Sequence, residues 1–165
     1  MAAHHAGEHG PGGCRYSRGG GPEAGAESNG AEVRDHMDNR TVLEQYYVTA
    51  NAGHWDAWCD LFDDDMIMDE QLAGKIEKLA TLRPMMAGMG AAYAKFQNVP
   101  SAILVQGDEG AVVSHISALA AKYPAEPIEA DVMNYFRFTN GKISYMRNVH
   151  DSKPFAPFLR QISEG

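Results

Sequence analysis

The order in which helical and strand-like patterns follow one another constrains the fold of this chain most. Apolar residues at helical spacing dominate the first part of the patterned region, and apolar runs with strand character dominate the second. Three helices are predicted at about residues 41–53, 55–62 and 81–96, and strands at 66–71, 102–106, 111–122, 128–138 and 143–150. Since helices and strands do not alternate as in βαβ units, these segments predict an α+β fold with an antiparallel sheet.

The helical segments have recognisable ends. Thr41 and Glu44 have the spacing of a capping box, and Gly53 is expected to close the first helix. The second segment ends in three aspartates at 63–65, whose carboxylates point in different directions, so a solvated turn is predicted there and not a metal site. Pro84 fits the first turn of the third helix.

The N-terminal segment has a different composition from the rest of the chain. Nine of the 17 glycines lie between Gly7 and Gly30, in a stretch with almost no apolar periodicity. Such a segment buries too little apolar surface to offset its ordering entropy, so residues 1–37 are predicted to be a disordered tail and 38–165 the folded domain. Three tail histidines lie in this Gly-rich setting, which supplies no fixed geometry for a metal, so no metal site is predicted.

Charge, hydropathy and cysteine count exclude several classes of function. The net charge of −8 opposes binding to phosphate backbones, and no apolar run approaches the roughly 20 residues that span a bilayer. We therefore expect neither a nucleic acid nor a membrane as partner. Two cysteines make no disulfide framework, which favours the cytoplasm. No P-loop and no Gly-x-Gly-x-x-Gly motif after a strand is present, so no cofactor is expected.

Two polar residues lie in apolar surroundings. Strand 128–138 alternates, and Asn134 is the only polar residue on the face that carries its apolar residues. A buried amide is either satisfied structurally or available to a ligand, and the pattern leaves both readings open. Glu70 ends a short apolar strand, where it either turns into solvent or faces the interior.

The turn before the last strand decides which face of that strand points inward. Residues 139–141, Thr-Asn-Gly, fit a two-residue Asn-Gly turn or a three-residue loop with Gly141 in the left-handed conformation. The two-residue turn would place Tyr145, Arg147 and Val149 on the face of Asn134. The three-residue loop would place Met146, Asn148 and His150 there, and the pattern alone leaves both open.

Several runs in the chain resemble one protein family. They are YYVTANAGHWDA from Tyr46, LFDDD from Leu61, the strand that ends at Glu70, and FRFTNGKI from Phe136. Their order over residues 39–155 is similar to that in the SnoaL-like branch of the nuclear transport factor 2-like superfamily, which includes ketosteroid isomerases. The resemblance implies a cone-shaped curved sheet that, with three N-terminal helices, encloses one apolar pocket. Its proteins include isomerases, cyclases, dehydratases and non-catalytic subunits.

The resemblance also implies roles for individual residues. Tyr46 takes the place of the tyrosine that donates to the substrate oxyanion in ketosteroid isomerases, Glu70 that of the general-base aspartate, and Asn134 that of the second oxyanion donor, an acid in those enzymes. The family spacing favours the three-residue loop, which turns His150 into the cavity, where it replaces an aromatic wall residue. Substrate contacts are expected from Asn148, Met146, Met86, Met89, Trp58 and Phe62.

These residues predict a cofactor-independent lyase or isomerase that transfers a proton beside a carbonyl of a small, largely apolar polyketide-, steroid- or terpenoid-like molecule. The alternative is a non-catalytic ligand-binding or dimerisation module of the same fold. The epoxide-hydrolase pattern fits poorly, because it would need charges where Ile116, Ala118 and Asn148 stand. A homodimer through the outer face of the sheet is predicted, because Met133 and Tyr135 lie there. His115 is left open between pocket and interface.

Overall fold

The computed structural model describes residues 37–164, so the predicted disordered tail lies, except for Met37, outside the described residues. The strands are β1 (Phe62–Glu70), β2 (Gly74–Glu77), β3 (Tyr93–Gln106), β4 (Glu109–Ala120), β5 (Pro127–Thr139) and β6 (Lys142–His150). The helices are α1 (Asn39–Asn51), α2 (Trp55–Cys59), α3 (Leu79–Met86), α4 (Met89–Ala92) and α5 (Ala156–Ser163), with a 3₁₀ turn at Lys153–Phe155 before α5. None of these helices has the length and apolar character needed to cross a membrane.

The six strands form one curved sheet in the order β2-β1-β6-β5-β4-β3. Four of the five neighbouring pairs are antiparallel, as predicted, but β1 and β6 are parallel. The prediction of a purely antiparallel sheet is therefore wrong. A tight hairpin forces antiparallel pairing, but β1 and β6 are joined through all of β2 to β5 and are free of that constraint.

The helices differ from the prediction in number and place. Two helices, not three, precede the first described strand, and the aspartates at 63–65 belong to β1 and not to a turn. Asp38 caps α1, because its Oδ1 accepts from the Thr41 backbone N at 2.9 Å, so Thr41 is not the cap that the sequence suggested. Neither β2 nor the C-terminal α5 was predicted.

The predicted third helix is interrupted, and its second half is a strand. Helix α3 ends at Met86, α4 is a single turn, and Tyr93 begins β3. The pairing with β4 shifts by one residue between Tyr93 and Lys95. This bulge at Ala94 puts Tyr93 and Phe96 on the same face although they are three residues apart, so a bulged strand imitates the spacing of a helix.

The turn between β5 and β6 combines both alternatives that the sequence left open. Thr139 pairs with Lys142, and Asn140 and Gly141 have φ of +52° and +71°, so the connection is a two-residue Asn-Gly turn and not the three-residue loop that the resemblance favoured. A bulge at Ser144 then shifts the register by one residue. As a result Met146 pairs with Phe136 and Asn148 with Asn134, which is the facing that the three-residue loop would have produced.

The inward face of the sheet carries two separate apolar clusters. Cluster 1 lies beneath α1 and α2 and includes Tyr46, Trp58, Phe136 and Met146. Cluster 2 lies at the other end of β4 and β5. Its buried members are Ile116, Ala118, Ala120, Ile128, Ala130, Val132 and Phe155. The 3₁₀ turn and α5 pack against this second end, where Phe158 stacks on Tyr93 with ring centroids 4.8 Å apart.

Candidate functional site

A series of polar residues, taken one from each of five strands, crosses the inward face, and we call this series the polar track. Its members are Glu70 on β1, Asn148 on β6, Asn134 on β5, Ser114 on β4 and Asn98 on β3. Asn148 pairs directly with Asn134 across β6 and β5. Ser114 pairs with Val132 and with Pro100, so it is a diagonal neighbour of Asn134 on one side and of Asn98 on the other. The track therefore crosses the sheet obliquely.

The polar track follows the boundary between the two apolar clusters. On β4, Ser114 stands between Val112 of cluster 1 and Ile116 of cluster 2. On β5, Asn134 stands between Phe136 of cluster 1 and Val132 of cluster 2. The polar residues thus separate the two apolar clusters of the interior.

Glu70 lies on the inward face and is half-buried. Its carboxylate Oε1 accepts from Asn148 Nδ2 at 2.8 Å, and Oε2 accepts from the backbone N atoms of Leu72 at 2.8 Å and Ala73 at 2.5 Å. Asn148 in turn accepts from the backbone N of Gln71 through Oδ1 at 2.8 Å. Glu70 and Asn148 are both half-buried, so this end of the polar track is the more accessible one.

Tyr47, and not Tyr46, contacts Asn134. The Asn134 Nδ2 donates to the Tyr47 hydroxyl at 2.9 Å, and both side chains are buried. Burial raises the pKa of Tyr47 to about 12, although the neighbouring Asn134 and Ser114 side chains act in the opposite direction. Ser114 Oγ lies beside this hydroxyl without meeting hydrogen-bond geometry. Tyr47 therefore remains a neutral hydroxyl at neutral pH.

Tyr46 lies deep in cluster 1. Its hydroxyl contacts the Met146 sulfur at 3.5 Å, and its ring packs against Trp58 and Phe136 with centroids 5.1 Å and 5.4 Å away. Burial raises the pKa of Tyr46 well above its usual value, and the charges of Tyr47 and Glu70 act in the same direction. Glu70 also helps to raise the pKa of the half-buried Tyr93, after burial as the main cause. Glu70 is thus within electrostatic reach of both phenols.

His150 is on the inward face but points toward the C-terminal segment. Its ring centroid lies 4.6 Å from that of Phe155, and its Nδ1 is 3.0 Å from the Asp151 carbonyl oxygen. Its backbone is held by Gln71, which donates to the His150 carbonyl oxygen at 2.6 Å and accepts from its N at 2.9 Å. No contact joins it to Asn134 among the hydrogen bonds of residues 37–164.

The remaining predicted substrate contacts surround cluster 1. Trp58, Phe62 and Met146 are buried in it, Met86 packs against it, and Met89 is half-buried on α4. The single enclosed pocket is not confirmed. Two open clefts occur on the surface of the described part of the chain, and none of the predicted site residues lines either of them. No three metal-ligating side chains converge anywhere within residues 37–164.

Three members of this region were missed from the sequence. Ser114 could have been found from the sequence, because it occupies an inward position of the alternating strand β4, between Val112 and Ile116. Asn98 had none, because the segment around it was not recognised as a strand. Tyr47 lies on the apolar, buried face of α1, and a tyrosine at such a position gives no sign in the sequence that its hydroxyl has a polar partner.

His115 lies on the outer face and belongs to an ion-pair cluster. Its Nδ1 is 2.7 Å from Asp131 Oδ1, and its Nε2 is 2.8 Å from Glu129 Oε2. Asp131 first, and then Glu129, raise the pKa of His115 above its usual value. The residue therefore does not line the inward face.

Comparison with known proteins agrees with this architecture. Residues 43–146, more than half of the chain, match the model of the SnoaL-like domain. The chain belongs to the SnoaL-like domain family. No curated protein matches it.

Solved structures share the fold at low sequence identity. One is a protein of ketosteroid isomerase-like fold from Catenulispora acidiphila, in complex with trimethylamine. It is 12% identical to this chain with a TM-score of 0.59, and the match covers 66% of this chain and 83% of that protein. A protein from Shewanella denitrificans, proposed to be a SnoaL-like polyketide cyclase, is 8% identical with a TM-score of 0.61. The match covers 74% of this chain and 97% of that protein. An LEH-like epoxide hydrolase from M. tuberculosis is 14% identical with a TM-score of 0.64, and the match covers 78% of this chain and 95% of that protein.

Proposed function

We propose that this protein is a cofactor-independent lyase or isomerase that transfers a proton beside a carbonyl group of a small, largely apolar molecule. A polyketide-, steroid- or terpenoid-like compound is the substrate class we favour. The observation that carries the proposal is the half-buried Glu70 carboxylate, held toward the interior of an apolar sheet by Asn148 and by two backbone N–H groups. Solved structures of this fold include a proposed polyketide cyclase and an LEH-like epoxide hydrolase.

The proposed chemistry assigns one role to each polar group of the inward face. Glu70 accepts a proton from the carbon next to the carbonyl, the C–H electron pair moves into the enolate, and negative charge develops on the carbonyl oxygen. Tyr46, through its hydroxyl, and Asn134, through its amide N–H, are the proposed donors to that oxygen. Glu70 then returns the proton to another carbon, or the enolate expels a leaving group. Asn148 positions Glu70, and His150 orients the substrate.

The proposed catalytic residue can be tested with a closely matched control. Glu70→Gln keeps the shape of the side chain but removes the proton acceptor, so exchange of α-hydrogens for deuterium in a panel of cyclic ketones should fall by about 100-fold or more. Asp69→Asn makes the same chemical change one residue away, on the opposite face beside Arg147, and should leave exchange unchanged. Proton NMR in D₂O measures both. Equal exchange by wild type and Glu70→Gln would refute the catalytic role.

A non-catalytic ligand-binding or dimerisation module is the second candidate, and a specific observation favours it. Both Glu70 oxygens are already engaged within the chain, and the Tyr46 hydroxyl is packed against Met146. If the wild-type protein binds ketones but exchanges none of their α-hydrogens, this second candidate is the correct one.

We further propose that the protein is a cytoplasmic homodimer. The outer face of the sheet exposes Val99, Val113, Met133 and Val149, each at 40% or more, which is a large apolar area for a monomer. Met133→Glu should convert the dimer into a monomer, whereas Ile162→Glu, at a similarly exposed position on α5, should not. Light scattering after gel filtration measures the mass, and a monomeric wild type would refute the dimer. Cys59 is buried and forms no disulfide within residues 37–164, which is consistent with a reducing compartment.

A further inference from the structure

The outward side chains of β5 change charge from one end of the strand to the other. Every second residue of this strand is buried, and the residues between them point outward. From the start of the strand the outward residues are Glu129, Asp131, Met133, Tyr135 and Arg137. Two carboxylates therefore lie at one end and a guanidinium at the other, with Met133 midway. Strand β5 is the fourth of six in the sheet, so this series lies near the middle of the outer face.

A row of exposed apolar side chains, which we call the apolar row, crosses β5 at Met133. Met133 pairs with Val113 on β4 and with Val149 on β6, and Val113 pairs with Ala102 on β3. Val113, Met133 and Val149 are 40%, 56% and 53% exposed. The apolar row runs across the strands, so it separates the acidic end of β5 from the basic end. Contiguous exposed apolar area of this kind marks a surface that a protein partner covers.

The basic end of β5 is available to a partner. None of the ion pairs in the described part of the chain includes Arg137. Glu109 is opposite Arg137 in the pairing of β4 with β5, but its carboxylate accepts from the Tyr135 hydroxyl at 2.8 Å. The Arg137 guanidinium lies instead over the Tyr145 ring, 4.3 Å from its centroid. The guanidinium can therefore accept a carboxylate from another chain.

The acidic end of β5 is also accessible. Glu129 and Asp131 share His115 as their ion-pair partner, at 2.8 Å and 2.7 Å. The side chains of Glu129 and Asp131 are 52% and 87% exposed. Two carboxylates thus face one imidazole, and negative charge at this end is left for a further cation.

Two copies that pack these outer faces together can be related by a two-fold axis in either of two directions, with their strands aligned in both. An axis along the strands places each end of β5 against the same end of the partner's β5, so like charges face each other. An axis along the apolar row reverses the partner's β5, so carboxylates face a guanidinium and the two apolar rows meet. Opposite charges across an interface favour association and like charges oppose it. The charge order along β5 therefore favours the second direction.

We propose that the outer face binds a second copy of this chain with the two-fold axis along the apolar row. Glu129 then contacts Arg137 of the partner subunit, and symmetry forms the same contact a second time. This arrangement rests on the homodimer proposed above and adds the orientation of its subunits. It also makes the interface selective, because only a partner with the reversed order of charges fits.

Charge reversal at the two ends of β5 tests the arrangement. Glu129→Lys makes both symmetric contacts repulsive and should raise the dimer Kd about tenfold or more, although it makes the net charge of −8 less negative. Arg137→Glu should weaken the dimer in the same way from the other end of the strand. The double variant Glu129→Lys/Arg137→Glu restores opposite charges at both contacts and keeps the net charge, so its Kd should return to within about threefold of the wild-type value. Sedimentation velocity over a range of protein concentrations measures Kd.

A matched control separates local contacts from net charge. Glu44→Lys makes the same change of charge on α1, on the other side of the sheet, where the side chain is 51% exposed. It should leave Kd unchanged, and circular dichroism verifies that each variant is folded. Raising NaCl from about 50 to about 500 mM should weaken the wild-type dimer, because salt screens the attraction between opposite charges.

The outcomes distinguish the arrangement from the homodimer itself. A dimer that Met133→Glu dissociates, but that neither Glu129→Lys nor Arg137→Glu weakens, would refute the arrangement and leave the homodimer standing. A double variant no tighter than the single ones would overturn the contact between the two residues. A wild-type Kd that falls as salt rises would indicate that like charges face each other, and would also refute the arrangement. A monomeric wild type would refute both the homodimer and the arrangement.

Discussion

The adjacent tyrosines Tyr46 and Tyr47 should respond oppositely to loss of their hydroxyl groups. Both are on α1 and buried, at 6% and 2% exposure, so phenylalanine preserves the packing of each ring. The Tyr46 hydroxyl has only the Met146 sulfur as a partner, at 3.5 Å, and a thioether is a weak acceptor. Tyr46→Phe should therefore leave the free energy of unfolding unchanged or raise it by up to about 1 kcal/mol.

Tyr47→Phe removes a better hydrogen bond. The Tyr47 hydroxyl is the acceptor for Asn134 Nδ2 at 2.9 Å, and Asn134 Oδ1 already lacks a partner within the described residues. Loss of the Tyr47 hydroxyl leaves the buried Asn134 amide without any side-chain hydrogen bond. The free energy of unfolding should therefore fall by about 1–3 kcal/mol. For a domain of this size, each kcal/mol corresponds to roughly 3–5 °C in Tm.

Urea unfolding followed by near-UV circular dichroism measures both changes. Adding Asn134→Leu to Tyr47→Phe should recover part of the loss, because both polar partners are then absent and no amide is left unpaired. If Tyr46→Phe destabilises the protein as much as Tyr47→Phe, the assignment of Asn134 to Tyr47 is incorrect. If Tyr46 also donates to the substrate, Tyr46→Phe loses activity while keeping its stability.

Two further predictions concern the outer face and the core. In the folded state Asp131 and Glu129 raise the pKa of His115 above 6.5, and Lys95 also lies near Glu129. The ion pairs of His115 therefore stabilise the folded protein fully below about pH 6.5, and this stabilisation is lost as the pH rises through the pKa of the folded state. The difference in unfolding free energy between wild type and His115→Gln should shrink across that range in urea titrations, and a difference independent of pH would contradict the ion-pair geometry. Gly110→Ala would place a Cβ 2.9 Å from Leu43 Cδ1 and 3.4 Å from the Leu104 carbonyl oxygen, so about 1–3 kcal/mol of stability should be lost. Gly90→Ala, which meets nothing within 4 Å, is the control, and equal Tm values for the two variants would argue against tight packing at Gly110.

Strand alternation made most of the inward face predictable from the sequence. In β5 every second residue is buried, and Asn134 was identified as the polar exception because a strand has a strict period of two. The Asn-Gly pair specified a turn, because both residues adopt positive φ there. The combined run of motifs also indicated the family, and the match to the SnoaL-like domain confirms it.

Bulges were not visible in the sequence, although they decide which residues share a face. The bulge at Ser144 turns Asn148 toward Asn134 despite the two-residue turn, and the bulge at Ala94 makes a strand resemble a helix. A bulge depends on how a strand fits its partner, so it has no signature within either strand alone. The parallel pairing of β1 with β6 is likewise a property of the assembled sheet.

The candidate site shows the same division between sequence and tertiary structure. The sequence determined that Glu70 and Asn134 were polar residues in apolar strands. Only the tertiary structure decided that Glu70 is held by Asn148, that Tyr47 contacts Asn134, and that Asn98 and Ser114 continue the same polar track. Hydrogen bonds between distant strands depend on register and on the position of α1 above the sheet, and both are set by long-range packing, which local sequence periodicity does not encode.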